Sequence, residues 1–173
     1  MKENTNKSAL SHSNKFDGLR LSPDLASPSE AALSHSNKFD GLRLSLHFKL
    51  SEFLNLGKYP ENIPDVQAVV NMAFGCHMLL EPAREAVGPI IVNSGFRCKS
   101  VNSKVRGVSN SQHLVGQAAD IRPKDPAQFQ RLVEFLRHHA LTDQLLTARS
   151  GWLHISWNPF APPRHYVRID YYR

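Results

Sequence analysis

Two histidines and one aspartate are the residues of this sequence whose types and spacing best suit metal chemistry. His113 lies in SQHLVGQAADI, Asp120 follows seven positions later, and His154 lies in GWLHISW. A catalytic Zn²⁺ commonly takes three nitrogen or oxygen ligands and keeps a fourth position for water. These three residues are therefore candidate ligands of a zinc site, although nine histidines allow other combinations.

The segments around these residues have patterns that would bring them together. QAADI is typical of a short strand, and DQLLT and WLHISW are predicted to form a hairpin around the turn ARSG. Because side chains alternate between the two faces of a strand, Trp152, His154 and Ser156 would share one face. The spacing predicts a first ligand on a loop, a second on the strand that follows, and a third on a neighbouring strand.

Two helices and two further strands complete the predicted architecture. A helix is predicted over residues 64–88, with Val66, Val70 and His77 on its apolar stripe, which would make His77 a core residue. A second helix follows Asp125, a good N-cap residue, and PIIVNSG and HYVRIDYY are predicted strands. The sum is an α+β fold with a small, mainly antiparallel sheet packed against two main helices and the zinc site in a cleft on the sheet.

The first 45 residues are set apart by a repeat. ALSHSNKFDGLRLS at 9–22 recurs unchanged at 32–45, and the segment between the copies is rich in Pro and Ser. Two copies are fewer than the roughly three units that a solenoid needs. We therefore predict a disordered leader with a duplicated segment over residues 1–45 and one domain over residues 46–173.

Composition limits the classes of partner. Lys and Arg outnumber Asp and Glu by 21 to 15, and the formal net charge of +6 favours anionic partners. The basic residues are scattered, without the aromatic-interleaved stripe of RNA-binding proteins, so we predict no nucleic-acid partner. No stretch approaches the roughly 18 apolar residues of a membrane span, and the polar start lacks the apolar core of a secretory signal. We expect a soluble monomer with no export signal.

The longest run of motifs resembles a known enzyme family. SGFRCKSVNSKVRGVSNSQHLVGQAADI is similar, nearly position for position, to the signature of the zinc D-Ala-D-Ala carboxypeptidase family, whose members cut bacterial cell-wall peptides and include phage endolysins. The resemblance covers essentially residues 46–157. It implies that His113, Asp120 and His154 bind Zn²⁺ and that the protein hydrolyses peptidoglycan stem peptides or cross-links, as a carboxypeptidase or an endopeptidase. In a phage or prophage context we expect it in the cytoplasm until release, acting at the cell wall or periplasm.

The resemblance also implies roles for residues beside the ligands. Arg97, in SGFR, would bind a carboxylate or carbonyl of the substrate and steady the developing oxyanion. Ser111 and Gln112 would hydrogen-bond the peptide backbone. Trp152, next to the last ligand, is a further candidate for substrate binding because its ring can stack on sugar or peptide, although such aromatic residues more often form the wall of a cleft.

The sequence departs from this family where a proton-handling carboxylate is expected. Members usually carry Glu or Asp three positions before the second histidine ligand or at the end of the preceding strand, and the corresponding residues here are Gly151 and Thr147 or Ala148. Two explanations stay open. Either Asp143 or His165 serves as the general base, or the domain is a catalytically weakened, zinc-containing module that binds peptidoglycan.

Overall fold

The computed structural model describes residue 39 and residues 41–172. Most of the predicted leader therefore lies outside the described residues. In its last, described part, Leu44 is buried in the hydrophobic core, and the Ser45 hydroxyl donates a hydrogen bond of 2.6 Å to Glu81 Oε1. The folded domain thus includes residues on the N-terminal side of Leu46.

The strands of the domain form a single sheet among the described residues. They are β1 (Ile90–Ser94), β2 (Ala118–Pro123), β3 (Gln144–Ala148), β4 (Leu153–Ser156) and β5 (Tyr166–Tyr172). Their order is β1-β2-β4-β3-β5, and all neighbours are antiparallel except β3 and β5, which are parallel. The predicted α+β fold with a mainly antiparallel sheet is confirmed.

The helices include the two that the sequence predicts. They are α1 (Leu50–Leu54), α2 (Val66–Gly75), α3 (Glu81–Val87), α4 (Lys99–Lys104) and α5 (Phe129–His138), and a π-helical turn (Cys76–Leu80) joins α2 to α3. The long helix predicted over residues 64–88 is thus present as a continuous helical segment. Helix α4 was not among the predicted helices. None of the described helices is both long and apolar enough to cross a membrane.

The buried face of the long helix differs from the predicted stripe. Val66 and Val70 are 81% and 55% exposed, and His77 is exposed as well, so its assignment to the core is wrong. A second apolar series with helical spacing faces the core, and its larger members, Met72, Leu79 and Leu80, are fully buried. Its members are Ala68, Met72, Cys76, Leu79, Leu80 and Ala83.

The two faces of the sheet have different surroundings. Leu145, Leu153 and Ile155 point into the core that the helices cover. Trp157, just after β4, is fully buried, and its indole Nε1 donates a hydrogen bond of 2.8 Å to the carbonyl of Asn71 in α2. Because side chains alternate along a strand, His154 belongs to the opposite face. The helical layer therefore supports the sheet and leaves one face for a site.

Gly116 ends the short 3-10 turn Gln112–Val115, which carries His113. Its φ is +70°, and a Cβ there would lie 2.3 Å from the backbone carbonyl oxygen of Ala68. We expect Gly116→Ala to lower the free energy of unfolding by roughly 2 kcal/mol or more, because both the left-handed backbone and the steric contact oppose a side chain. Urea denaturation measures this loss.

Gly57→Ala is the matched control, since a Cβ at Gly57 meets no atom within 4 Å. We expect it to change the free energy of unfolding by less than about 1 kcal/mol. Equal losses in the two variants would contradict the steric account of Gly116.

Candidate metal centre

Three different backbone elements deliver the predicted ligands to one place. His113 lies on the 3-10 turn Gln112–Val115, Asp120 on β2 and His154 on β4. Asp120 and His154 are paired in the antiparallel register of β2 and β4, so their side chains project from the same face. The turn that follows α4 then places His113 beside this pair.

The ligand atoms of the three side chains lie close enough to share one ion. His113 Nε2 is 3.1 Å from His154 Nδ1 and 3.2 Å from Asp120 Oδ1, and His154 Nδ1 is 3.0 Å from the same oxygen. Donor atoms bound at roughly 2.1 Å by a tetrahedral Zn²⁺ lie about 3.4 Å from one another. The distances among the two imidazoles and the carboxylate therefore fit Zn²⁺. Both imidazoles are buried.

Further hydrogen bonds orient two of these ligands. His113 Nδ1 donates to the carbonyl oxygen of Gly95 at 2.5 Å, which leaves the lone pair on Nε2. Asp120 uses Oδ1 toward the histidines, and its Oδ2 accepts a hydrogen bond from Arg97 Nη2. Arg97 is itself held by a bond of 3.0 Å from Nε to Ser94 Oγ. The site is thus preorganised by residues around β1 as well as by its own members.

Burial and charge favour the protonation states that bind a metal. Burial lowers the pKa of His113 below its ordinary value, and the neighbouring Asp120 carboxylate offsets only part of this effect. Burial alone would raise the pKa of Asp120, but His113, His154 and Arg97 together lower it well below its usual range. Near neutral pH His113 is therefore neutral and Asp120 is ionised, as metal ligation requires.

The site opens into a cavity of about 520 Å³. A cavity of this size is typical of sites that bind small molecules or a short stretch of peptide. The structure brings together here every residue that the sequence predicts for metal and substrate binding. Those that line the cavity are Arg97, Ser111, Gln112, His113, Asp120, Trp152 and His154.

Asp143, the predicted general base, lies behind the wall of this cavity. Its buried carboxylate accepts hydrogen bonds from Arg164 Nε at 3.0 and 3.1 Å, from Arg164 Nη2 at 2.5 Å and from Gln112 Nε2 at 3.0 Å. Burial would raise its pKa, but the bonds from Arg164 lower it to about 2. A role for Asp143 as base stays a prediction, and its contacts give it the structural task of holding Arg164 and Gln112.

Asp120 is the sole carboxylate that lines the cavity among the described residues. His165, the other candidate base, does not line it and has a positive φ of 51° in the segment before β5. Among the described residues, no other acid at the cavity wall takes the place of the expected proton-handling carboxylate.

Several cavity residues were not predicted from the sequence. Arg164 lies in PFAPPRH, a Pro-rich segment typical of a rigid loop, and Tyr171 and Tyr172 lie at the end of β5. Tyr172 stacks on Trp152 with ring centroids 4.8 Å apart. The alternating pattern of HYVRIDYY predicts the strand β5, but it does not tell which strand lies beside it. The pairing of β5 with β3 is what brings Tyr171 and Tyr172 to the site.

The fold and the site together define an α+β domain with a His-Asp-His group on its sheet that could bind a metal ion. Residues 61–156, more than half of the 173-residue chain, match the family model described as Peptidase M15, and the chain belongs to this family. The family resemblance of the sequence motifs is thereby confirmed.

A curated relative provides a second comparison. The chain is 43% identical over 68 residues to the zinc D-Ala-D-Ala carboxypeptidase of Streptomyces albus G. The match covers 38% of this chain and 26% of the relative, so the chain spans about a quarter of that protein's length.

Metal content tests the ligand assignment. We expect the protein to bind about one Zn²⁺ per chain, and His113→Ala or His154→Ala to lower this stoichiometry strongly, because two remaining ligands hold Zn²⁺ poorly. Elemental analysis after dialysis measures the ratio. His77→Ala, which removes an exposed histidine, should keep the full content, and unchanged zinc in the His113 variant would refute the assignment.

The proposed structural task of Asp143 predicts a pH dependence of stability. Its pKa is lowered from 3.8 to about 2 on folding, so its ionised form stabilises the protein above pH 3.8, and this stabilisation is lost as the pH falls toward 2. We expect Asp143→Asn to lower the free energy of unfolding by about 2 kcal/mol near neutral pH and by less in acid. Urea denaturation at several pH values measures both.

Asp170→Asn serves as the control, since the Asp170 side chain is half exposed and its one ion-pair partner among the described residues is the exposed Arg149. Its effect should stay within about 0.5 kcal/mol. A loss in Asp143→Asn that stays constant down to strong acid would contradict the assignment to the Asp143–Arg164 pair.

Proposed function

We propose that this chain is a zinc-dependent peptidase that hydrolyses peptide bonds of bacterial peptidoglycan, as a D-Ala-D-Ala carboxypeptidase or an endopeptidase. The observation that carries the proposal is the convergence of His113, Asp120 and His154 in one cavity. Membership of the Peptidase M15 family supports the reaction class. Similarity to a zinc D-Ala-D-Ala carboxypeptidase supports the metal and the substrate class.

The three ligands would hold the ion, and Zn²⁺ bound there would supply an acidified water and an electrophile for the scissile carbonyl. Arg97 would do two tasks. Its bond to Asp120 Oδ2 keeps the carboxylate turned toward the histidines, and its guanidinium also lines the cavity, where it would bind a carboxylate or carbonyl oxygen of the substrate.

The wall beside His113 would position the peptide. The Ser111 hydroxyl lies there as a partner for the peptide backbone. The Gln112 side chain is held at both ends, because Nε2 donates to Asp143 and Oε1 accepts from Arg164 at 2.7 Å. Gln112 would therefore shape the wall with a fixed side chain. The stacked rings of Trp152 and Tyr172 would form a flat side of the cleft.

The lack of a second cavity carboxylate among the described residues favours one alternative function. The domain would then be a zinc-containing module that binds peptidoglycan and hydrolyses it slowly or not at all. Proton transfer from water to the leaving amine typically contributes a factor of about 10² to 10⁴ to the rate, so its loss would weaken catalysis without removing binding.

The place of action is part of the proposal. A peptidase of this class would meet its substrate at the cell wall, after release from the cytoplasm in a phage or prophage context. Its partners would be peptidoglycan peptides, and we propose that it works as a monomer.

Mass spectrometry of defined muropeptides tests the function directly. We expect the zinc-loaded protein to remove a terminal D-Ala or to open a cross-link, and a chelator to abolish the reaction. His113→Ala should be inactive for the same reason. Binding of the muropeptides without any chelator-sensitive cleavage would overturn the enzyme and support the binding module.

A carboxylate introduced at Ala148 tests whether proton handling limits the reaction. Leu146 lines the cavity and pairs with His154, and Ala148 lies two residues further along β3 on the same face. We expect Ala148→Glu to raise the hydrolysis rate by about a hundredfold, because a carboxylate would then reach the cavity.

Ala148→Gln is the matched control, since it adds the same bulk without a titratable group. Both variants should be checked for folding by circular dichroism, because Ala148 is buried. Folded, zinc-loaded variants with equal rates would contradict the role given to a carboxylate at this position.

A further inference from the structure

One row of paired residues crosses the sheet from the metal centre to its edge. Asp120 pairs with His154, His154 pairs with Leu146, and Leu146 pairs with Arg168 on the edge strand β5. Residues paired in register on neighbouring strands project from the same face of a sheet. Arg168 therefore lies on the face that carries the metal ligands.

A second cavity follows this row. It has a volume of about 400 Å³ and is lined by residues of β3 and β5 together with Arg164. Gln144, Leu146, Arg164 and Tyr171 line both this cavity and the one at the metal centre. The two cavities thus form one groove that runs from the metal ligands over β3 to the edge of the sheet.

The groove carries an excess of positive charge. Four arginines line it, namely Arg97, Arg106, Arg164 and Arg168, whereas Asp120 is the single carboxylate among its described lining residues. Asp120 is already engaged by Arg97 and the histidines. Beyond the metal centre the groove therefore presents Arg164, which is paired with Asp143 behind the wall, and Arg168, and none of the described residues that line this part carries a carboxylate.

Two of these guanidinium groups are held in place. Arg164 is bound by the buried Asp143, while its own side chain remains 58% exposed. Arg168 lies over the ring of Tyr171, with its guanidinium carbon 5.1 Å from the ring centroid. A guanidinium that is already oriented loses less conformational entropy when it binds a planar anion.

We propose that Arg168, assisted by Arg164, forms a carboxylate-binding subsite that selects peptides with a free acidic group about three residues from the scissile bond. Arg168 stands two strand spacings from His154, a distance of about 10 Å, and an extended peptide covers about 3.3 Å per residue. The position of the scissile bond in this inference rests on the proposed function. The ligand is thus an acidic peptide laid across the strands.

Calorimetry on the zinc-loaded full chain tests the subsite with two product-like peptides that contain no scissile bond. These are acetyl-D-Glu-L-Ala-D-Ala and its D-Gln counterpart, which differ by one carboxylate. We expect the D-Glu peptide to bind about tenfold more tightly, as a charge-assisted hydrogen bond to arginine allows. In Arg168→Gln this preference should fall to about one.

Arg149→Gln is the matched control, because Arg149 is exposed and lines neither cavity. It should keep the full preference. Arg164 is left unchanged, since its removal would strand the buried Asp143 carboxylate. Equal binding of the two peptides, no binding of either, or an undiminished preference in Arg168→Gln would overturn the subsite.

Release of D-Ala from acetyl-D-Glu-L-Ala-D-Ala-D-Ala separates this inference from the proposed function. A carboxylate preference without any release keeps the subsite and removes the carboxypeptidase, and incubation with a cross-linked muropeptide then decides for or against the endopeptidase. Release without a preference keeps the peptidase and removes the subsite.

Discussion

A buried carboxylate that requires positive or hydrogen-bonding partners is the constraint on which the site depends. Taking an ionised carboxylate out of water is costly unless charge and hydrogen bonds compensate it. Asp120 obtains this compensation from three directions, through His113 on a turn, His154 on the neighbouring strand and Arg97 after β1. Two of these partners, His113 and His154, form with Asp120 the group that could hold a metal ion, so the contacts that compensate the charge also assemble the candidate centre.

Asp143, behind the wall of the groove, is a second buried carboxylate that is compensated by hydrogen bonds. The Asp143 carboxylate accepts from the backbone N–H of Arg164 at 2.8 Å and from its guanidinium, and the Asp143 carbonyl accepts from Tyr166 N at 2.9 Å. These contacts bring the chain back alongside β3, where β5 joins the sheet in parallel. Asp120 thus orients the two histidines of the candidate centre, and Asp143 orients the start of β5, the strand that extends the cleft.

Local sequence patterns predicted that His113, Asp120 and His154 would lie together, because their positions follow from short-range rules. The alternation around His154 and the strand at Asp120 require only neighbouring residues. The parallel pairing of β5 could not be predicted in this way, since it depends on the contact between Asp143 and Arg164, 21 positions apart. The stripe through Val66 and Val70 was misassigned because two apolar series share the helical period, and only packing against the sheet decides which of them is buried.

In the proposed centre, two imidazoles and one carboxylate hold a single zinc ion. X-ray absorption at the zinc edge of the loaded protein measures the ligand shell directly. This coordination predicts two imidazole rings, recognised by their outer-shell scattering, within a set of nitrogen and oxygen ligands at about 2.0–2.2 Å. His154→Ala should lose one ring from the shell of any zinc that remains. A shell containing sulfur at about 2.3 Å, or one without imidazole, would contradict it.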